Sequence, residues 1–408
     1  MAKKPEGHRL TDAQRFDWLR LIRSENVGPR TFRALINACG GARAALDALP
    51  DLARRGGASR PIVVTSIEEI DRELELARKL GVEFVALGEP DYPPILRHID
   101  SAPPILAYKG RKEVLQRSAA AIVGSRNASA AGLAFAERLA RGLGAAGYVV
   151  VSGLARGIDQ RAHSASLETG AIGVLAGGHA KPYPNEAAPL IERMVEAGAV
   201  VSEMPIAWEP RGRDFPRRNR IVSGLALGTV VVEAARGSGS LITARFALEQ
   251  NRQVFAVPGS PLDPRAEGTN DLLKQGAAIC TCVDDVANAL EPTRAGDLFA
   301  AQEDGDPGEP LWGEQELLGV DPEKTPRTSP GDELDDAGRP YVAAGGAVGA
   351  RERIVALLGP SPISLDELAR AAEASAREVR IALIELELAG RVEYAGDRVA
   401  LKPLEGSA

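Results

Sequence analysis

The sequence predicts an α/β protein: a Rossmann-like, doubly wound parallel sheet between a small N-terminal helical domain and a C-terminal winged-helix domain. Three observations carry that prediction. Short runs of continuous apolar, β-rich residues alternate with helical stretches between residues 119 and 280. Strands without polar alternation are buried on both faces, the pattern of a parallel sheet clad in helices. An acidic, Pro/Gly-rich passage then interrupts the chain, and beyond it three helical segments precede a hairpin pattern.

Residues 1–65 form the helical domain in this reading. Thr11 is placed to cap a first helix carrying Phe16, Leu19 and Ile22 at helical spacing. Val27-Gly28-Pro29-Arg30-Thr31, followed by Phe32, Leu35 and Ile36, fits a helix–turn–helix unit of the sterile-alpha-motif or helix-hairpin-helix kind. Such a turn can hold a DNA phosphate on backbone N–H groups, although a plain helix cap accounts for it more simply.

Residues 66–290 form the central domain. A helix is expected over Ile67–Leu80 and a strand over Glu83–Leu87, then a proline-rich passage from Tyr92-Pro93-Pro94 to Pro103-Pro104. In the core, 119–290, strands are expected at Ala120–Gly124, Tyr148–Gly153, Ala171–Gly177, Ala199–Glu203, Thr229–Ala234, Gln253–Gly259 and Ala277–Cys280. Helices are expected at Ala131–Ala145, Asp159–Glu168, Pro189–Ala197 and Leu241–Gln250. Right-handed crossovers follow from that alternation.

Residues 291–349 read as a linker. Within 291–340 stand 14 Asp/Glu against 4 Lys/Arg, with seven Pro and seven Gly, and no sustained periodicity. Too little apolar surface is available there to offset the entropy of ordering. Residues 350–408 form the winged helix: helices Arg351–Leu358, one from Ser364 or Asp366, and Ala376–Ala389, then a hairpin over Arg391–Leu401 with Gly396 in its turn. The third helix balances Arg377 and Arg380 with Glu378, Glu385 and Glu387, so a protein-facing or regulatory role is favoured over reading of a major groove.

Composition narrows the function classes. The 408 residues are 44% apolar and 26% charged, ordinary for two to four globular domains. No stretch reaches the ~20 apolar residues of a membrane helix, and MAKKPEGHRL lacks a signal-peptide core, so the cytoplasm is the expected address. Three cysteines, Cys39, Cys280 and Cys282, have neither disulfide-framework nor zinc spacing. The net charge of −7 conceals a −10 passage at 291–340, which leaves the rest of the chain at +3.

In a doubly wound sheet, ligands gather beyond the carboxyl ends of the strands. The first such end, Gly124-Ser125-Arg126-Asn127-Ala128-Ser129, lacks the second glycine of GxGxxG. Its expected product is an anion site made of helix-start N–H groups, the Ser125 and Ser129 hydroxyls and the Arg126 fork. A second end runs from Ser152-Gly153 through Arg156 and Asp159 to His163. With no activated Ser or Cys to complete a triad, a structural histidine is favoured there.

The densest signal is Arg211-Gly212-Arg213-Asp214-Phe215-Pro216-Arg217-Arg218-Asn219-Arg220-Ile221: five arginines interleaved with one ring. One base can stack on Phe215 while guanidinium groups track neighbouring phosphates. A fourth strand end, Glu233 to Thr243, contains Gly237-Ser238-Gly239-Ser240, a second phosphate cradle with Thr243 just inside the helix. Neither an HExxH motif nor a P-loop is present, nor an evident acid–base carboxylate pair.

Taken in order, these segments, with Tyr183-Pro184-Asn185, Ser202–Pro205, Val257-Pro258-Gly259 and Gly268-Thr269-Asn270, resemble the DNA-processing protein A family (DprA, also called Smf). The resemblance implies single-stranded DNA binding without hydrolysis, a homodimer through the Rossmann-like domain, and loading of the RecA recombinase during natural transformation. It implies a DNA pocket containing Gly124, Ser125, Arg126, Phe215, Arg217, Asn219 and Arg220. The residue reading adds Ser129, Gly153, Arg156, Lys181, Arg211, Arg213, Ser238, Gly239, Ser240 and Thr243 as phosphate contacts, with no metal or cofactor. Gly178-His179-Ala180-Lys181 departs from the family's glycine–leucine–aspartate, and Lys181 supplies a cation instead. The alternative is a nucleotide or nucleoside-phosphate hydrolase. Those enzymes carry a P-G-G-x-G-T-x-x-E loop, against which Pro258-Gly259-Ser260 lacks the following glutamate.

Overall fold

The computed structural model of the protein describes residues 9–295, 346–395 and 398–402. They divide into two compact units: one runs on from Asp71, and the other joins Leu10–Ile70 to the C-terminal residues.

The first three helices are α1 (Asp12–Arg23), α2 (Pro29–Cys39) and α3 (Ala42–Arg55). Thr11 caps α1 through a capping box with Gln14, as its position predicts. The buried stripe of α1 is Trp18, Leu19 and Leu21, so Phe16 and Ile22 sit at its margin. Trp18 meets Phe32 of α2 edge-to-face with centroids 5.0 Å apart, and Leu35 and Ile36 are fully buried as expected.

The sheet unit begins with α4 (Ile67–Leu80), β1 (Glu83–Ala86) and β2 (Ile105–Gly110). There follow β3 (Ala119–Val123), α5 (Ala130–Ala145), β4 (Val149–Ser152), α6 (Ile158–Ala165), β5 (Ala171–Val174), α7 (Ala188–Ala197) and β6 (Ala199–Ser202). Then come α8 (Asp214–Gly224), β7 (Gly228–Val231), α9 (Gly239–Glu249), β8 (Gln253–Ala256), α10 (Glu267–Lys274), β9 (Ala278–Ile279) and α11 (Val283–Ala295). Their order in the sheet is β1-β2-β6-β5-β4-β3-β7-β8-β9.

From β6 to β9 every pairing is parallel, whereas β1 and β2 run antiparallel at one edge. The sheet is therefore mostly parallel. Strand β2 was not predicted, because its four apolar residues stand directly behind Pro103-Pro104 and read as part of that passage. The inner strands are fully buried, with α5, α6 and α11 packed over β3, β4, β7 and β8 in one apolar core.

The C-terminal residues form helices Gly346–Leu357, Leu365–Ala372 and Ala376–Leu388, then a three-stranded sheet of β10 (Ile363–Ser364), β12 (Arg398–Leu401) and β11 (Val392–Ala395). This is the winged helix the sequence predicts, and the turn at Gly396 lies outside the described residues. Residues 291–295 and 346–349, read from composition as linker, are helical, because a composition averaged over a long window does not see one turn at its edge. The intervening 296–345 lie outside the described residues.

Within its own core the third helix uses Val379, Ala382, Leu383 and Leu386. Ile384, Glu385 and Leu388 are also buried, because the same helix packs on α2 and α3. Glu385, 4% exposed, pairs with Arg351 at 2.9 Å and with Arg55 of α3 at 3.3 Å. Asn26 donates to the carbonyl of Leu388 at 2.9 Å. The face that a recognition helix would offer to a major groove is thus covered by the N-terminal helices.

Candidate functional site

Neighbouring strands β3 and β7 lead the chain to opposite halves of the sheet, β3 toward β4 and β7 toward β8. Crevices open at such switch points, beyond the carboxyl ends of the strands. Here a cavity of about 650 Å³ is lined by the loop after β3, the loop after β4, helix α8, and the Gly/Ser loop with the start of α9. It brings together Gly124, Ser125, Arg126, Gly153, Phe215, Asn219, Ser238, Gly239, Ser240 and Thr243 of the residues expected from sequence.

Its charge is set by Arg126, Arg218 and Arg236 against one carboxylate, Asp159. Arg218 is buried, and its Nη1 donates to the carbonyls of Gly153, at 2.5 Å, and Val174. Burial lowers its pKa to about 10, the charge of Arg126 pushes the same way, and Asp159 opposes both. Arg218 is therefore still a cation at neutral pH. Gly153 makes its placement possible: a Cβ there would come within 2.8 Å of the guanidinium. Burial raises the Asp159 carboxyl, against the charge of Arg218. Asp159 also accepts the N–H groups of Gly153 at 3.1 Å and Ala155 at 3.4 Å. A cation held out of water beside only one carboxylate presents a standing positive field to an entering anion.

Arg126 and Arg236 are exposed: Arg236 pairs with Glu267 at 3.5 Å and Asp271 at 3.6 Å, whereas the Arg126 guanidinium lies 5.8 Å from the Phe215 ring centroid. Asn219 accepts from Arg218 at 3.2 Å and donates to the carbonyl of Gly239 at 3.1 Å, tying α8 to the Gly/Ser loop. Ser238 caps α9, its hydroxyl 2.8 Å from that of Ser240. The site therefore offers a ring, guanidinium groups and a helix start facing one space, the chemistry of phosphate with an attached base.

Several expected contacts are elsewhere. Ser129 does not line the cavity: its N–H and hydroxyl donate to the Glu233 carboxylate at 2.9 and 2.5 Å, and its Oγ caps α5. That helix start already holds an anion, which corrects the expected phosphate contact. Arg220 is buried, donating to Glu203 and to the carbonyl of Ser101, so an internal ion pair replaces the expected contact there. Arg217, 47% exposed, pairs with the same Glu203 at 3.3 Å. Arg156 donates to Asn127, Lys181 pairs with Glu209 at 3.5 Å, Arg211 lies over the Trp208 ring at 4.9 Å, and Arg213 is the exposed cap residue of α8. None of these four lines the cavity.

Sequence reasoning missed Arg218 and Arg236 as lining residues. The signal for Arg218 was available: counted from Phe215, positions 218, 219 and 222 fall on one helical face, and that face lines the cavity. His163 is wholly buried on α6, where burial pushes its pKa down to about 3. That fits a neutral structural residue. Among the described residues no group of three or more His, Cys, Asp or Glu is placed to hold a metal ion.

Residues 83–291 match the family described as DNA recombination-mediator protein A, residues 12–75 the DprA-like N-terminal HHH domain, and residues 340–397 the DprA winged helix domain. The chain is 40% identical over 225 residues to DNA processing protein DprA of Bacillus subtilis, covering 54% of this chain and 76% of that protein. It is 30% identical over 336 residues to Protein Smf of a Synechocystis species, covering 78% of this chain and 80% of that one. The X-ray structure of DprA from Streptococcus pneumoniae aligns with 69% of this chain and 98% of its own, at 31% identity and a TM-score of 0.57. With its central α/β domain and both flanking domains matched, the chain belongs to the DNA recombination-mediator protein A family.

Proposed function

We propose that this chain binds single-stranded DNA at the switch-point cavity without hydrolysing it, and delivers that strand to the RecA recombinase in recombination and transformation. The observation that carries the reading is the cavity itself: Arg126 and Phe215 face the same space as the buried cation of Arg218 and the Gly/Ser loop. Stacking on an aromatic ring requires an unpaired base, and guanidinium groups with helix-start N–H groups suit its phosphate. Membership of a recombination-mediator family supports the DNA substrate.

The one carboxylate of the cavity, Asp159, is buried and spent on backbone N–H groups. That arrangement favours binding over hydrolysis. Delivery to RecA and a homodimer through the Rossmann-like domain are part of the proposal and rest on the family resemblance. So does a cytoplasmic location; among the described residues no helix is long and apolar enough to cross a membrane.

A fluorescence-anisotropy titration with single-stranded and duplex oligonucleotides over a range of salt tests the reading. The single strand should bind more tightly, with log K falling against log salt by about 0.7 per neutralised phosphate. Equal or tighter binding of duplex would overturn it. Release of free base on incubation with nucleoside monophosphates would favour the hydrolase.

A further inference from the structure

A second aromatic ring stands beside the cavity. Tyr183, on the passage between β5 and α7, is 51% exposed. Its ring meets Phe215 edge-to-face, with centroids 5.3 Å apart and planes at 70°. Phe215 lines the cavity and lies beneath Arg126. Arg126, Phe215 and Tyr183 thus form one connected series that starts among the phosphate-binding groups and ends on a ring open to solvent.

The backbone on either side of Tyr183 is held in place. Gly178 and Ala180 donate to the carbonyls of Trp208 and Ile206, each at 2.9 Å, and Ala187 closes the turn on Pro184 at 2.9 Å. A ring fixed in this way loses little further freedom when a flat partner covers it, which is the condition for a strong stacking platform.

We infer that Tyr183 stacks a nucleobase of the single strand whose phosphate is held at Arg126, extending the site beyond the cavity; the inference rests on the single-strand reading above. The 70° between the two rings has a consequence for the ligand. Bases lying flat on Tyr183 and on Phe215 cannot remain stacked on each other, so the strand must give up its own base stacking at that step. Oligo-dT, which self-stacks weakly, should therefore bind more tightly than oligo-dA.

The test uses the full chain, an oligo-dT strand and a base-free strand of equal length, with Tyr183→Ala and Tyr183→Phe variants. Tyr183→Ala should bind oligo-dT on the order of tenfold more weakly, with an unchanged salt slope and unchanged affinity for the base-free strand. Tyr183→Phe, which keeps the ring, should restore binding. If the wild type binds oligo-dT and Tyr183→Ala binds it equally, the inference fails while the single-strand reading stands. An equal loss on both strands with a lowered melting temperature would make the ring structural and overturn the inference. Failure of the wild type to bind oligo-dT would overturn the single-strand reading itself.

Discussion

Arg220 and Glu203 form an ion pair in which the two side chains are only 7% and 8% exposed. The pair joins α8 to the end of β6, on a face of the helix that does not line the cavity. Arg217, one turn earlier, reaches the same carboxylate from the solvent side.

These two arginines should therefore separate in a stability measurement. Arg220→Ala removes the buried partner of a buried carboxylate, and a loss of about 3 kcal/mol is expected, the lower end for a broken buried pair. Arg217→Ala should cost less than about 1 kcal/mol, as for a solvent-exposed pair. Denaturant unfolding of both variants checks this, and equal losses would show that Arg220 is not buried as described.

Arg126 should behave in the opposite way. It is exposed and lies over Phe215, so the charge-keeping change Arg126→Lys removes its two-pronged hydrogen bonding and little packing. Single-strand affinity should fall about tenfold, in line with one lost charge-assisted bond, and further in Arg126→Ala. The melting temperature should not move. Normal binding by a folded Arg126→Ala protein would remove Arg126 from the site.

Gly56, which follows α3, tests the docking of the winged helix. A Cβ built there would stand 1.8 Å from the carbonyl oxygen of Glu385. Its backbone is right-handed, φ −66°, so alanine by itself would be neutral to stabilising. Gly56→Ala should nevertheless destabilise the helical unit and raise hydrogen exchange in both α3 and the helix Ala376–Leu388. A stabilising effect would mean that the two are not in contact.

A pH dependence follows from His163. Its folded pKa of about 3 lies below the ordinary value near 6.5, so the unfolded chain takes up its proton first as pH falls. The neutral residue's full contribution is present above pH ~6.5 and is lost as pH falls from there toward 3, by up to about 1.4 kcal/mol per pH unit. The His163→Leu variant lacks that proton, so its stability should change less steeply over the same range. Parallel pH profiles for the two proteins would rule out a buried neutral histidine.

Much of this was legible locally. The strand ends that build the cavity were placed correctly because each run is apolar without alternation and stops at glycine or serine, as Val123-Gly124 and Ser152-Gly153 do. The Thr11 cap reads directly from residue type, whereas Ser129 and Ser238, read as phosphate contacts, prove to cap α5 and α9. The arginine segment stands out as a candidate binding element by density alone, but density does not resolve direction. Phe215, Arg218 and Asn219 turn to the cavity, whereas Arg217 and Arg220 turn to Glu203.

By itself the sequence determined the order of helices and strands and the strand ends whose loops line the cavity, because periodicity, caps and glycine turns act over a few residues. Only the tertiary structure decided how each polar group is spent. Glu233 takes Ser129, Glu203 takes Arg220, Glu385 takes Arg55, and Gly153 lets Arg218 reach the cavity from within. Those pairings join residues far apart in the chain, and the strength of each depends on burial, which arises only once the sheet and the helices have packed.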